Sequence, residues 1–250
     1  MSFAFKSDIG KVRKKNEDYV DVFENQAGVI FGVVADGLGG HQGGDVASEM
    51  AVSHLGHFFE KTNFSDPQAG AHWLETQVKE ENQLILQRAN QYSDLMGMGT
   101  TLVCGLFFEK QTVLANIGDS RGYLLRDGEL FQLTEDHSLV NELFKRGEIS
   151  AEQAKHHPKK NIITRTLGVS KEAALDQHLI NFQPNDLFLL CTDGLTNMLE
   201  DQEIKKILTT TESLTTKCKL LIDRANKMGG KDNITVLLAL VASKDEVDEK

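Results

Sequence analysis

A chain of 250 residues, 40% of them hydrophobic, can bury a substantial core, and its length suits one compact domain or two at most. A formal charge of −10 works against nucleic-acid binding, which needs a basic face, and no run of roughly eighteen apolar residues is present to span a membrane. The three cysteines (Cys104, Cys191, Cys218) lie in apolar surroundings without CxxC spacing, and Met1 to Lys6 has no basic-then-apolar leader, so a cytoplasmic protein with reduced core thiols is expected.

From the N-terminus, Phe3 to Ser7, Tyr19 to Phe23 and Val29 to Ala35 read as strands, with a turn at Asn25-Gln26-Ala27-Gly28 joining the last two. Ala47 to Phe59 and Pro67 to Asn90 read as helices, and in the second Leu74, Val78, Ile85 and Ala89 share one face. Thr100 to Phe108, Thr112 to Ile117, Tyr123 to Arg126 and Glu129 to Leu133 are four short strands separated by tight turns, which predicts an antiparallel meander. Ser138 to His157 turns polar and helical. Strands return at Asp176 to Phe182 and Asp186 to Thr192, helices follow at Asp201 to Leu208 and Ser213 to Met228, and a strand at Ile234 to Val241 closes the pattern. The second of those helices carries an apolar stripe of Leu214, Cys218, Leu221, Ala225 and Met228, which puts Cys218 in the core. Helix pairs between strand groups predict an α+β layered sandwich, two antiparallel β-sheets flanked by helix pairs. With only three prolines and no Ser/Gly-rich spacer, residues 1–243 are expected to form a single domain, followed by a charged tail at 244–250.

Aspartates recur at glycine-flanked corners where apolar runs end: Val33-Val34-Ala35-Asp36-Gly37, Ile117-Gly118-Asp119-Ser120, Leu190-Cys191-Thr192-Asp193-Gly194 and Gly229-Gly230-Lys231-Asp232-Asn233. Any one Asp-Gly is by itself only a turn signal, as Asp127-Gly128 between Tyr123-Leu124-Leu125 and Leu130-Phe131 illustrates. The Asp36 corner differs, because Asp36 to Asp45 packs five glycines between a strand and a helix. Glycine there permits positive φ and close approach to a ligand, at an entropic cost that a purely structural loop would rarely bear.

Should Asp36, Asp193 and Asp232 converge beside the Gly37 carbonyl, their all-oxygen set would suit magnesium or manganese rather than zinc. Two such ions, with Asp36 bridging, would activate a water for attack on a phosphoryl group without a Ser or Cys intermediate. Asp8 to Asp18 brings complementary charge, and a guanidinium such as that of Arg13 can fork onto two phosphate oxygens. Taken alone, Lys11-Val12-Arg13-Lys14-Lys15 is equally a solvated basic loop, with Glu17 and Asp18 ordinary strand-edge charges.

Seven motifs in order, spanning about Ser7 to Val241, resemble the metal-dependent protein phosphatase family, the type 2C serine/threonine phosphatases, in compact bacterial form. They are Asp8 to Asp18 (DIGKVRKKNED), Val34 to Ser48 (VADGLGGHQGGDVAS), Gly97 to Thr101 (GMGTT), Asn116 to Arg121 (NIGDSR), Arg165 to Gly168 (RTLG), Leu190 to Leu195 (LCTDGL) and Gly229 to Val236 (GGKDNITV). The resemblance implies a double antiparallel sheet flanked by helices, forming one phosphatase domain. It implies that Asp36 bridges two tightly bound Mn²⁺ or Mg²⁺ ions, that the Gly37 carbonyl binds one of them, and that Asp193 and Asp232 bind the second. It gives Arg13 the substrate phosphate and gives Glu17 and Asp18 the ordering of metal-bound waters. A third, weaker ion would be held by Asp119 together with Asp193. The segment 136–160 would be a flap over the active site.

One position departs from the pattern. Eukaryotic members carry a histidine directly after the metal-binding Asp-Gly, proposed to protonate the leaving alkoxide, and this chain has Leu38 there. His41, or a water on the third ion, would then be the proton source. His156 and His157 fall within the flap, where a solvated position or contact with substrate is expected. The implied function is cytosolic hydrolysis of phosphoserine and phosphothreonine in proteins by a monomer, opposing a Ser/Thr protein kinase, with no nucleic-acid or membrane partner. The alternatives are a catalytically weak phosphoprotein-binding module on the same fold, which loss of a metal carboxylate would favour, and a two-metal nuclease or nucleotidyl transferase, which the acidic balance disfavours.

Overall fold

The computed structural model describes residues 1–39 and 43–242. One sheet has the strand order β1 (Ser2–Asp8), β11 (Ile234–Leu240), β10 (Leu187–Cys191), β7 (Arg121–Arg126) and β8 (Glu129–Gln132). The other runs β2 (Asp18–Glu24), β3 (Ile30–Leu38), β5 (Leu102–Phe107), β6 (Gln111–Ile117) and β9 (Asp176–Asn181), and the short β4 (Gly99–Thr100) pairs with the end of β3. Every pairing is antiparallel.

The period-two alternation of a strand decides which layer each apolar residue enters. Val34, Val103 and Leu114 face Phe188, Leu190 and Leu237 in the layer between the sheets. Their neighbours Phe31, Val33 and Ala35 turn outward against the pair α1 (Gly44–Phe59) and α2 (Pro67–Gln91). On the opposite side Leu189, Val236 and Leu238 meet the pair α6 (Asp201–Leu208) and α7 (Leu214–Lys227), with Cys218 buried among them. The order helix pair, sheet, sheet, helix pair is the layered α+β sandwich expected from the sequence.

Local chemistry fixes the helix ends. Asp66 caps α2 by accepting from the Ala69 amide at 2.9 Å, and Pro67 supplies a preset φ in the first turn. Ser213 caps α7 through the Thr216 amide at 3.2 Å. Among the described residues no helix is long and apolar enough to cross a membrane.

Several local expectations are corrected. The predicted four-strand meander breaks after β6: β5 and β6 pair in one sheet, β7 and β8 in the other, and the chain crosses between sheets at Gly118-Asp119-Ser120. Gly118 allows this with φ of 108°, and a Cβ there would lie 2.6 Å from Thr101. Asp36-Gly37 is not an exit turn, because β3 runs on through Leu38 and pairs with β4. Asp193 begins a one-turn helix, α5 (Asp193–Thr196), rather than a turn, and Met228 is exposed, outside the α7 core stripe. The polar segment after Ser138 is two short helices, α3 (Leu139–Lys145) and α4 (Ala151–Lys155). Asp127-Gly128 is the hairpin turn expected, with both residues at positive φ.

Candidate active site

Asp36 stands opposite Asp18 in the β2–β3 register, so the strand pairing itself brings two carboxylates together at one end of the sheet. The Asp36 backbone is clamped by consecutive threonines from β4 and its exit. Its N–H donates to Thr101 Oγ1 at 3.0 Å, and its carbonyl accepts from Thr100 Oγ1 and from the Thr101 amide, each at 2.9 Å. Gly37 has no positive φ. It is required because α1 begins on top of it: a Cβ would lie 2.1 Å from the Gly44 carbonyl oxygen.

The other sheet supplies Asp193 and Asp232 and anchors Asp18. Asp18 is 7% exposed, and its Oδ2 accepts from Thr235 Oγ1 at 2.7 Å and from Thr192 Oγ1 at 2.9 Å, which bolts the β2 edge to β10 and β11. Asp193 follows Thr192, and its Oδ2 accepts from Asn197 Nδ2 at 2.8 Å, one helical turn on. Gly194 must be glycine for packing rather than for φ, since a Cβ would sit 1.8 Å from the Asn233 carbonyl oxygen. That contact presses the Asp193 corner onto the segment carrying Asp232.

Asp119 is 8% exposed at the crossing between sheets. Thr101 Oγ1, which holds Asp36, also meets Ser120 Oγ at 2.7 Å, so the Asp36 and Asp119 corners share a hydroxyl link. Arg121 grips Asp136 through two parallel bonds of 2.8 and 2.7 Å, fixing the start of the segment 136–160. His137 Nδ1 accepts from the Gly118 amide at 3.1 Å, so its proton is on Nε2, facing Asp176 Oδ2 at 3.1 Å. A cleft of about 640 Å³ runs from Asp119 and Asp193 to α3 and α4 and is bordered by Lys155, His156 and Lys160. Lys160 Nζ reaches Asn197 Oδ1 at 3.1 Å, so the segment 136–160 touches the residue that holds Asp193. His156 is exposed and paired with Glu152, and His157 Nδ1 accepts from the Lys159 amide; neither histidine approaches the carboxylates through a hydrogen bond. Leu38 is at the β3 end opposite Gly99, and His41 lies outside the described residues.

The carboxylates perturb one another. Burial, followed by the charges of Asp18, Asp193, Asp119 and Asp232, holds Asp36 well above the usual carboxylate range. Burial pushes Asp18 up to about 7 despite its two threonine hydroxyls, and pushes Asp119 up to about 8 with help from Asp193 and Asp136. Asp193 rises to about 6 through burial and the charge of Asp232, and Glu17 is raised by burial and Asp45. Oδ1 of Asp18 and Oδ1 of Asp119 are buried without a hydrogen-bond donor among the described residues. Orphaned buried carboxylate oxygens among mutually repelling neighbours fit divalent cations, which would relieve both burdens.

Among the described residues no group of three or more His, Cys, Asp or Glu side chains is placed to hold an ion on side chains alone. Few-carboxylate sites completed by water and a backbone carbonyl are the ordinary way to bind Mg²⁺ or Mn²⁺. Asp232 Oδ2 also accepts from Arg13 Nη2 at 2.7 Å. Arg13 is half-exposed on the loop between β1 and β2.

The sequence pattern thus brings Asp36, Gly37, Asp193, Asp232, Asp119, Glu17, Asp18 and Arg13 to one end of the sandwich. It did not single out Thr192, Thr235, Asn197 or Asn233, which hold them in place. The available signal was a lone threonine inside or beside an otherwise apolar strand, as in Ile234-Thr235-Val236.

Comparison with known proteins shows similarity along nearly the whole chain. Residues 11–245 match the family model described as protein phosphatase 2C. The chain is 48% identical over 239 residues to the serine/threonine phosphatase stp of Listeria monocytogenes, covering 95% of each. It is 42% identical over 245 residues to protein phosphatase PhpP of Streptococcus pneumoniae, covering 98% of this chain and 99% of that one. The solved structure of the S. agalactiae serine/threonine phosphatase superposes with a TM-score of 0.93 at 40% identity, over 96% of this chain and 99% of the other. The catalytic domain of the serine threonine protein phosphatase PstP, solved in complex with 2 manganese ions, gives 0.85 at 37% identity over 97% and 98%.

Proposed function

The chain belongs to the protein phosphatase 2C family, a metal-dependent serine/threonine phosphatase family, and on that premise we propose how its own residues divide the work. The observation that carries the reading is the cluster of Asp36, Asp18, Asp119, Asp193 and Asp232, drawn from both sheets, in which the first four are raised by burial and by their neighbours' charge. Asp36 and the Gly37 carbonyl would hold one divalent ion, with Asp36 shared by a second ion that Asp193 and Asp232 complete. The all-oxygen donor set suits Mn²⁺ or Mg²⁺. Bound there, the ions would supply a water acidic enough to attack phosphorus and would offset charge on the phosphoryl oxygens.

The chain's residues do the remainder. Arg13 places its guanidinium on the phosphate and orients the phosphorus for in-line attack. Glu17 and Asp18 order water around the ions, Asp18 from a position fixed by Thr192 and Thr235. The leaving serine or threonine oxygen needs a proton, and Leu38 has none to give. Asp119, with Asp193, would hold a weaker third ion and order the proton donor on the flap side of the cleft. Residues 136–160 act as the flap that covers the substrate, and residues 1–243 act as one catalytic domain. The physiological setting that fits is the cytoplasm, with a monomeric enzyme opposing a Ser/Thr protein kinase.

The test is Asp193→Asn, assayed on a phosphothreonine peptide across a Mn²⁺ and Mg²⁺ titration with a chelator control. Turnover should fall at least about a hundredfold while the protein still melts cooperatively, since the variant removes the charge that retains an ion. A folded variant with near wild-type turnover at saturating Mn²⁺ would refute the two-ion reading.

A further inference from the structure

Asn233 follows Asp232 directly, is 4% exposed, and spends its whole side-chain amide on the loop that carries Arg13. Nδ2 donates to the Ile9 carbonyl at 2.9 Å and to the Lys15 carbonyl at 2.9 Å, while Oδ1 accepts from the Glu17 amide at 2.8 Å. A single planar group therefore cinches the loop at positions 9, 15 and 17, with Arg13 between the first two. The loop also lies flat on the backbone before Asn233. Lys11 donates its amide to the Gly230 carbonyl at 2.8 Å, and Gly10, at φ of 80°, passes so close that a Cβ would meet the Asp232 carbonyl oxygen at 2.2 Å.

Chemistry restricts who can do this. Two carbonyls and one N–H require two donors and one acceptor in one plane, which an asparagine amide supplies and an aspartate carboxylate does not. A loop pinned at both ends has fewer conformations to lose when its side chain meets a ligand, so pinning lowers the ordering cost of each binding event. The geometry points to Asn233 as a positioning residue that sets where Arg13 meets the substrate phosphate. This rests on the reading of Arg13 given above.

The experiment is a double-mutant cycle on the Mn²⁺-loaded enzyme, with a phosphothreonine peptide as substrate and inorganic phosphate as a competitive probe. Asn233→Ala should raise KM and the phosphate inhibition constant about tenfold with kcat within about twofold, the scale of one hydrogen bond to a charged group. In an Arg13→Ala background the same change should move KM less than about twofold, because there is no guanidinium left to place. Asn233→Asp keeps the acceptor for Glu17 but turns a carboxylate toward two carbonyls, so it should behave like Asn233→Ala. Four outcomes overturn the proposal: additive KM increases in the two backgrounds, a fall in kcat with KM unchanged, wild-type behaviour of Asn233→Asp, or loss of cooperative melting in both Asn233 variants. An Arg13→Ala enzyme with unaltered KM refutes the Arg13 reading itself, whereas a raised KM there with additive Asn233 effects refutes the Asn233 inference alone.

Discussion

Replacing Asp18 with asparagine removes a carboxylate that the fold buries under two threonine hydroxyls while leaving its Oδ1 without a donor. The amide oxygen introduced by the substitution can accept the same two hydroxyls, so the chief change is the loss of charge. In the metal-free protein the carboxyl is raised from 3.8 to about 7. A carboxyl raised on folding leaves stability intact below its unfolded value and drains it as pH climbs through the folded value. Metal-free wild type should therefore lose stability from about pH 4, the unfolded value, up to about pH 8. Asp119 and Asp193 are raised as well and push in the same direction. The lowered carboxyl of Asp176 titrates below this window and does not offset them.

At about 1.4 kcal/mol per pKa unit, discounted for the charges Asp18 shares with its neighbours, ionising it costs on the order of 3 kcal/mol at pH 8. For a chain of this size that corresponds to Asp18→Asn melting roughly 6–10 °C above wild type in chelator at pH 8, with a difference of less than about half that at pH 5. Millimolar Mn²⁺ should stabilise the wild type more than the variant, because bound cations repay the charge that the metal-free fold cannot. Thermal melts from pH 5 to 8.5, with chelator or with Mn²⁺, measure all of this. A metal-free wild type whose melting point is flat or rising over that range, or an Asp18→Asn protein melting lower in chelator at pH 8, would refute the electrostatic account of the site.

Arg13→Lys should recover only part of the phosphate affinity lost in Arg13→Ala, since an ammonium cannot fork; equal KM values for lysine and arginine would contradict this. Asp119→Ala should lose far more kcat on phosphothreonine than on para-nitrophenyl phosphate, about tenfold more, because nitrophenolate leaves without a proton and an alkoxide does not. Equal losses on the two substrates would remove Asp119 from leaving-group protonation. Gly194→Ala should destabilise by about 3 kcal/mol or more and lower activity beyond its effect on folding, because the added Cβ drives the Asp193 corner off the Asn233 backbone; an unchanged melting point would show that the corner yields freely.

The architecture and the acidic centre were legible because their signals are local. Apolar runs marked the strands, and Asp36, Asp193 and Asp232 each stood at a glycine-flanked corner beside such a run. What misled was turn grammar applied where packing decides. Asp36-Gly37 resembles an exit turn, but its glycine serves the close start of α1, so β3 continues past it. Adjacent short strands usually pair, and nothing in Ile117-Gly118-Asp119-Ser120 states that β7 belongs to the other sheet; that is settled by which apolar face Leu124 and Leu190 can share. The residues that hold the site, Thr192, Thr235, Asn197 and Asn233, are small polar side chains whose meaning lies in partners up to 224 positions distant.

That distance bears on how the enzyme comes into being. Asp18 is held by Thr192 and Thr235, and β1 finds its partner only in β11, so the carboxylate cluster needs segments from both ends of the described chain. During synthesis from the N-terminus, Asp18 and Asp36 can pair early across β2 and β3, whereas Asp193, Asp232 and the hydroxyls that clasp Asp18 emerge long afterwards. A nascent fragment ending before β11 lacks the Thr235 hydroxyl that clasps Asp18 and the strand that pairs with β1. On the site reading proposed above, dephosphorylation would begin only once that strand has left the ribosome, so that catalytic onset would report closure of the whole sandwich.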